Sequence, residues 1–192
     1  MELLDQHSEL AALLKGPAYF NRALVLYHRS DLAGSIADYQ KALPLLEAEG
    51  MHVYRRQCLR NLSWTAIEFG NVELAEESLA QSAATTTPDE RWYQRVAEAY
   101  LHWAQGSLGK ALTICQDILA DGDLEPELRA LACAVAAHVA VDLGTLAEAV
   151  KLGGEAFSLA VLPETDPRVY SVSQKAQQRA QKAMLAQRGM GA

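Results

Sequence analysis

The sequence predicts an all-α protein built from repeated helical hairpins. Three observations predict it. First, the stretch Leu59 to Ala84, LRNLSWTAIEFGNVELAEESLAQSAA, reads as two antiparallel helices joined at Gly70-Asn71. Glycine ends a helix in the left-handed conformation at little cost, and asparagine caps the next one. Second, the pattern recurs around Ser30, Gly106 and Gly144, so the turns are spaced by 40, 36 and 38 residues. Third, half of the residues are apolar, with alanine and leucine abundant, as a buried-seam helical array requires.

The chain divides in order as follows. Leu3, Leu4, Leu10, Leu13 and Leu14 fall near helical period, which predicts an N-terminal helix over 2–15, closed by Gly16-Pro17. Hairpin one has a first helix to about Arg29 and a second from Leu32 to Glu49, with Pro44 inside it as a predicted kink. Hairpin two takes Met51 to Phe69 and Val72 to Ala84; Thr85 to Asp89 is the clearest loop. Hairpin three takes Asp89 to Gln105 and Leu108 to Ala120, before the turn Asp121-Gly122-Asp123. Hairpin four takes Pro126 to Leu143 and Leu146 to Val161. A last helix over Pro167 to Gln187 offers a thin stripe of Val172, Ala176, Ala180 and Ala183, as a terminal cap would. The resulting organisation is 1–16, a repeat array over 17–162 (hairpins 17–50, 51–87, 88–122 and 123–162), and a basic C-terminal segment over 163–192.

Within each hairpin, small residues recur at fixed distance from the turn. They are Ala23, Ser63, Ala99 and Ala137 before it, and Ser35, Ala75, Ala111 and Ala149 after it. A larger residue follows at Tyr39, Leu79 and Cys115, and Gly153 breaks that series. Gly153-Gly154 inside a helix costs roughly 1 kcal/mol per glycine relative to alanine, so close approach of the last helix is the expected reason.

This small–small–large spacing around a short turn resembles the tetratricopeptide repeat (TPR), whose period is about 34 residues. The resemblance covers roughly Pro17 to Leu162 and implies a right-handed superhelix of about four hairpins with capping helices. Arg22 and Glu98 depart from it, standing where the family prefers leucine and where hairpin two has Leu62. The resemblance also implies that the first helix of each hairpin lines a concave groove. Its groove positions carry Asn21 and Tyr27 in hairpin one, Arg60, Asn61 and Trp64 in hairpin two, Tyr93, Tyr100 and Trp103 in hairpin three, and His138 in hairpin four. An asparagine pairs with both groups of a peptide backbone, and Asn21 and Asn61 share one repeat position. Two readings of this set stand open: a binding groove for an extended peptide or protein segment, or aromatic packing between neighbouring helices.

Composition narrows the function. The net charge is −7, which argues against direct nucleic-acid binding. The charge is segregated: residues 167–192 hold five basic side chains and no acid, leaving −12 on residues 1–166. That tail is expected to be a solvated cap or a docking segment for an acidic partner or neighbouring subunit. Cys58, Cys115 and Cys133 show no metal or redox spacing and read as core thiols of a cytoplasmic protein. No apolar run reaches the roughly 18 residues of a membrane span. GSLGKA at 106–111 has Ala111 where a phosphate-binding loop needs Ser or Thr, and the five histidines form no metal-binding pair. The expectation is a non-catalytic interaction scaffold without cofactors. A sensory or oligomerisation module of a bacterial-type regulator is the alternative, and self-assembly into a homo-oligomer a third reading.

Overall fold

The structure, a computed structural model, describes residues 14–161 and 167–189. The expected N-terminal helix over 2–15 falls, all but its end, outside the described residues, as does the loop from Pro163; the expected close at Gly16-Pro17 is absent, since a helix starts at Lys15 and runs through both residues, proline being tolerated in a first turn. Nine α-helices and one short 3-10 turn make up the described secondary structure, which contains no strand. Among the described residues no helix is long and apolar enough to cross a membrane. The chain forms two compact units, Met1–Thr87 and Pro88–Ala192.

The first unit holds α1 (Lys15–His28), α2 (Leu32–Ala48), α3 (His52–Phe69) and α4 (Val72–Ala83). Each helix packs on the next, and α1 also touches α3, so the two first helices lie side by side. Phe20, Ala23, Ile36, Tyr39, Ala42, Leu46, Cys58 and Leu62 form the core between α1, α2 and α3. Helix α2 runs through Pro44, whose ring is exposed to solvent. The departure from the leucine pattern at Arg22 has a local cause. Its guanidinium makes a two-pronged pair with the buried Asp38 of α2, Nε to Oδ2 at 2.5 Å and Nη2 to Oδ1 at 2.8 Å. The hydrogen bonds from Arg22 hold the Asp38 carboxyl below its ordinary range despite burial.

The second unit opens with the 3-10 turn Pro88–Glu90 and holds α5 (Arg91–Ala104), α6 (Leu108–Leu119), α7 (Pro126–Asp142), α8 (Leu146–Ala160) and α9 (Pro167–Gly189). Helix α7 is the centre of this unit. It packs against α5, α6, α8 and α9. Every residue from Ala130 to Ala140 is buried, because the run ALACAVAAHVA is small or apolar on all faces.

The turns follow one geometry. Ser30, Gly70, Gly106 and Gly144 all adopt positive φ, at 62°, 88°, 74° and 76°. At each, the next residue's N–H returns to a carbonyl five positions back: Asp31 to Leu26 at 2.9 Å, Asn71 to Ala66 at 2.8 Å, Ser107 to His102 at 2.8 Å and Thr145 to Ala140 at 2.9 Å. This is the Schellman closure of a helix C-terminus. The following helix is capped by Asp31 Oδ1 on the Gly34 N–H and by Asn71 Oδ1 on the Leu74 N–H. All eight small repeat positions have zero exposure, and the Ser35 hydroxyl donates to the Ala23 carbonyl at 2.8 Å.

The glycine pair in α8 separates into two cases. A Cβ on Gly153 would stand 3.0 Å from the Gln177 Cα and 3.3 Å from its nitrogen, so α9 crosses α8 on the bare backbone there. A Cβ on Gly154 meets nothing within 4 Å. Two stability changes follow. Gly154→Ala raises the midpoint of thermal unfolding, by up to about 1 kcal/mol of helix propensity, whereas Gly153→Ala lowers it, since overpacking costs roughly 1–3 kcal/mol and outweighs that gain. Ser30→Gly removes the cost of a left-handed serine and stabilises by a few tenths to about 1 kcal/mol; a denaturant titration against wild type reads it directly.

Candidate functional site

Three of the sequence-predicted groove residues meet in the second unit. Tyr100 and Trp103 stand one turn apart on α5, and His138 and Asp142 one turn apart on α7. The Tyr100 and Trp103 rings stack at 5.1 Å and 13°. Trp103 stacks in turn on His138 at 4.8 Å and 26°, and Tyr100 lies 6.2 Å from the same imidazole.

The polar edge of this stack is an aspartate held by two donors. The Trp103 indole N–H donates to Asp142 Oδ2 at 2.6 Å. Arg179, on α9, donates through Nη2 to Asp142 Oδ1 at 2.6 Å and through Nη1 to the His138 carbonyl at 2.9 Å. Its guanidinium carbon lies 5.4 Å from the Trp103 ring centre. Burial alone would raise the Asp142 pKa, but the hydrogen bonds from Arg179 and Trp103 outweigh it and leave the carboxyl below its usual range. His138 is pushed down to about 4, first by burial and then by the Arg179 charge, so it is neutral at pH 7. Arg179 and Asp142 keep about a third of their side-chain surface open (35% and 34%). The assembly therefore leaves part of the Trp103 side chain, a guanidinium and a carboxylate open to solvent.

A related bond occurs in the first unit. The Tyr27 hydroxyl donates to Glu68 Oε1 at 2.6 Å. Tyr27 stands three residues before its turn and Glu68 two before the next, the same offsets as Trp103 and Asp142. An aromatic donor on one first helix is thus tied to a carboxylate on the following first helix in both units. Neither Glu68 nor Asp142 was among the predicted residues; their shared distance from the turn is the signal that marks them in the sequence. Arg179 had no such signal, because the last helix lies outside the repeat register.

The remaining predicted residues lie apart. Asn61 and Trp64, on α3, are buried (6% exposed each), whereas Asn21, at the same repeat position as Asn61, is exposed on α1. Arg60 is half-buried. Tyr93, also half-buried, donates to Glu125 Oε2 at 3.3 Å; burial and then that carboxylate raise its pKa. The three cysteines are buried, and burial pushes each thiol up to about 12. Among the described residues no group of three or more His, Cys, Asp or Glu side chains is placed to hold a metal ion.

The depressed His138 pKa sets a pH dependence. The unfolded imidazole binds its proton near 6.5 and the folded one near 4, so between these values the unfolded state holds more protons and stability falls as pH falls. The loss across that window is at most roughly 3 kcal/mol. In His138→Gln, whose side chain does not titrate, the unfolding free energy changes less between pH 6.5 and 4 than in wild type; equal slopes in urea titrations at the two pH values would contradict the assignment.

Comparison with family models, with curated proteins and with solved structures finds no match to this chain.

Proposed function

We propose that the protein is a TPR-like interaction scaffold, a right-handed array of helical hairpins that binds an extended peptide or protein segment along its first-helix face without catalysing a reaction. The observation that carries this reading is the part-open Trp103–Asp142–Arg179 assembly. It sets a rigid aromatic beside a cation and an anion, a combination common among residues that dominate protein interfaces. In this reading the Trp103 ring takes an apolar side chain of the bound segment. Arg179 and Asp142 pair with its backbone or its charged groups. In the first unit, by itself, the exposed Asn21 on α1 is a bidentate amide of the kind an extended backbone accepts. Asn61 and Trp64 are buried within the first unit, so changing them alters its stability.

The test is selection of binders from a displayed random-peptide library, followed by titration of the enriched peptides against wild type, Asn21→Ala and Trp103→Ala. Circular dichroism confirms that each variant keeps its helicity. The expected result is enrichment of one peptide class and a weakening of roughly tenfold or more in Trp103→Ala. A library that enriches nothing, or peptides that bind both variants as they bind wild type, would remove the groove assignment.

A further inference from the structure

The last helix is longer than the surface that supports it. Its inner face is buried through Val169, Val172, Ser173, Ala176 and Ala180, and Ala180 closes the contact with Ala140 and Ala149. Arg179 marks the same level by its bond to Asp142, at the C-terminal end of α7. Beyond Ala180 no residue of α9 is buried, and every residue from Leu185 to Gly189 is exposed. Ala183 and Met184 keep partial cover, so the fully exposed end of the helix is its last five residues, roughly 7 Å long. A helix exposed on all sides gains little from tertiary packing, and most helical stability comes from such packing.

The overhang has a definite chemistry. It carries Lys182, Arg188 and Leu185, the last 67% exposed. Among the described residues Lys182 and Arg188 make no ion pair, whereas Arg179 is spent on Asp142. A basic residue in a last helical turn is favourable beside the helix dipole; an exposed leucine between two cations has no such reason. The complementary surface exists on the same chain. Between Lys110 and Arg129 there is no basic residue, and Asp117, Asp121, Asp123, Glu125 and Glu127 occupy the end of α6, the turn and the start of α7; of these, Asp117 pairs with Arg95 at 3.4 Å and Glu125 accepts from Tyr93. That acidic segment stands at the N-terminal end of α7, while Arg179 meets α7 at its C-terminal end. The 17 residues of α7 put about 25 Å between the two. The overhang therefore does not reach the acidic segment of its own unit.

We propose that the overhanging end of α9 docks a second copy of this chain, with Lys182 and Arg188 against the acidic 117–127 segment of that copy and Leu185 packed between them. The contact is head-to-tail, since each copy offers one half of it at each end, and it generates rings or open chains. It is screened by salt, because both halves are solvent-exposed charges. This inference is independent of peptide binding at the Trp103 assembly.

Multi-angle light scattering of the full chain across a concentration series, at low and at high salt, tests it. The mass is expected to rise with concentration at low salt and to fall back to that of one chain at high salt. Lys182→Glu/Arg188→Glu and Asp123→Lys, all at exposed positions, each weaken association severalfold or more with helicity unchanged. An equimolar mixture of the two variants restores association in pairs, since the unaltered basic end of one then meets the unaltered acidic segment of the other. A single-chain mass at every concentration, association that survives either variant, or a mixture that stays monomeric would each overturn the proposal.

Discussion

Close approach of the two helices in each hairpin is the constraint on which the rest of this structure depends. It is secured by alanine or serine at the eight facing positions, from Ala23 against Ser35 to Ala137 against Ala149, each fully buried. Short side chains let the backbones come together, and the large neighbours Tyr39 and Leu79 then fill the volume on either side. The left-handed turn residue makes the reversal short enough for that register to hold. Three of the four turns use glycine; Ser30 reaches the same conformation against its own preference.

Once the hairpins are set, polar bonds link their first helices. Tyr27 to Glu68 and Trp103 to Asp142 are one device used twice. Each buries most of an aromatic ring while giving its polar atom a charged partner, which is the condition under which tyrosine and tryptophan are buried without loss. These aromatics are largely consumed in holding the helices side by side: Tyr27 is buried and Trp103 half-buried. In the second unit the open face is enlarged by α9, whose Arg179 completes the charge pattern. A substitution at Trp103 therefore acts on the packing of α5 against α7 as well as on the open face.

The charge distribution follows a related logic. Ion pairs such as Arg22 with Asp38 and Arg179 with Asp142 join one helix to another and use up part of the chain's basic side chains. The acids outnumber the bases by 24 to 17, and five of the bases lie on α9.

The all-helical class, the hairpin boundaries to within two residues, the turn positions and the eight packing positions were legible in the sequence. Each is written in local chemistry: a period of small residues, a residue able to take positive φ, a cap that follows it. The reason for Gly153 was legible as well, since a helix tolerates such a residue only where another backbone comes close. The candidate site was legible in part. Tyr100, Trp103 and His138 lie on repeat positions that any superposition of the hairpins brings into line. Their partners depended on tertiary structure. Asp142 becomes a double acceptor only because α5 and α9 approach it from two sides, and Arg179 reaches it from a helix that follows no repeat register. The contrast between exposed Asn21 and buried Asn61 has the same origin. Equal spacing from the turn gives two residues the same direction on their helices, but burial is decided by what packs against each helix, and that is settled by contacts distant in sequence.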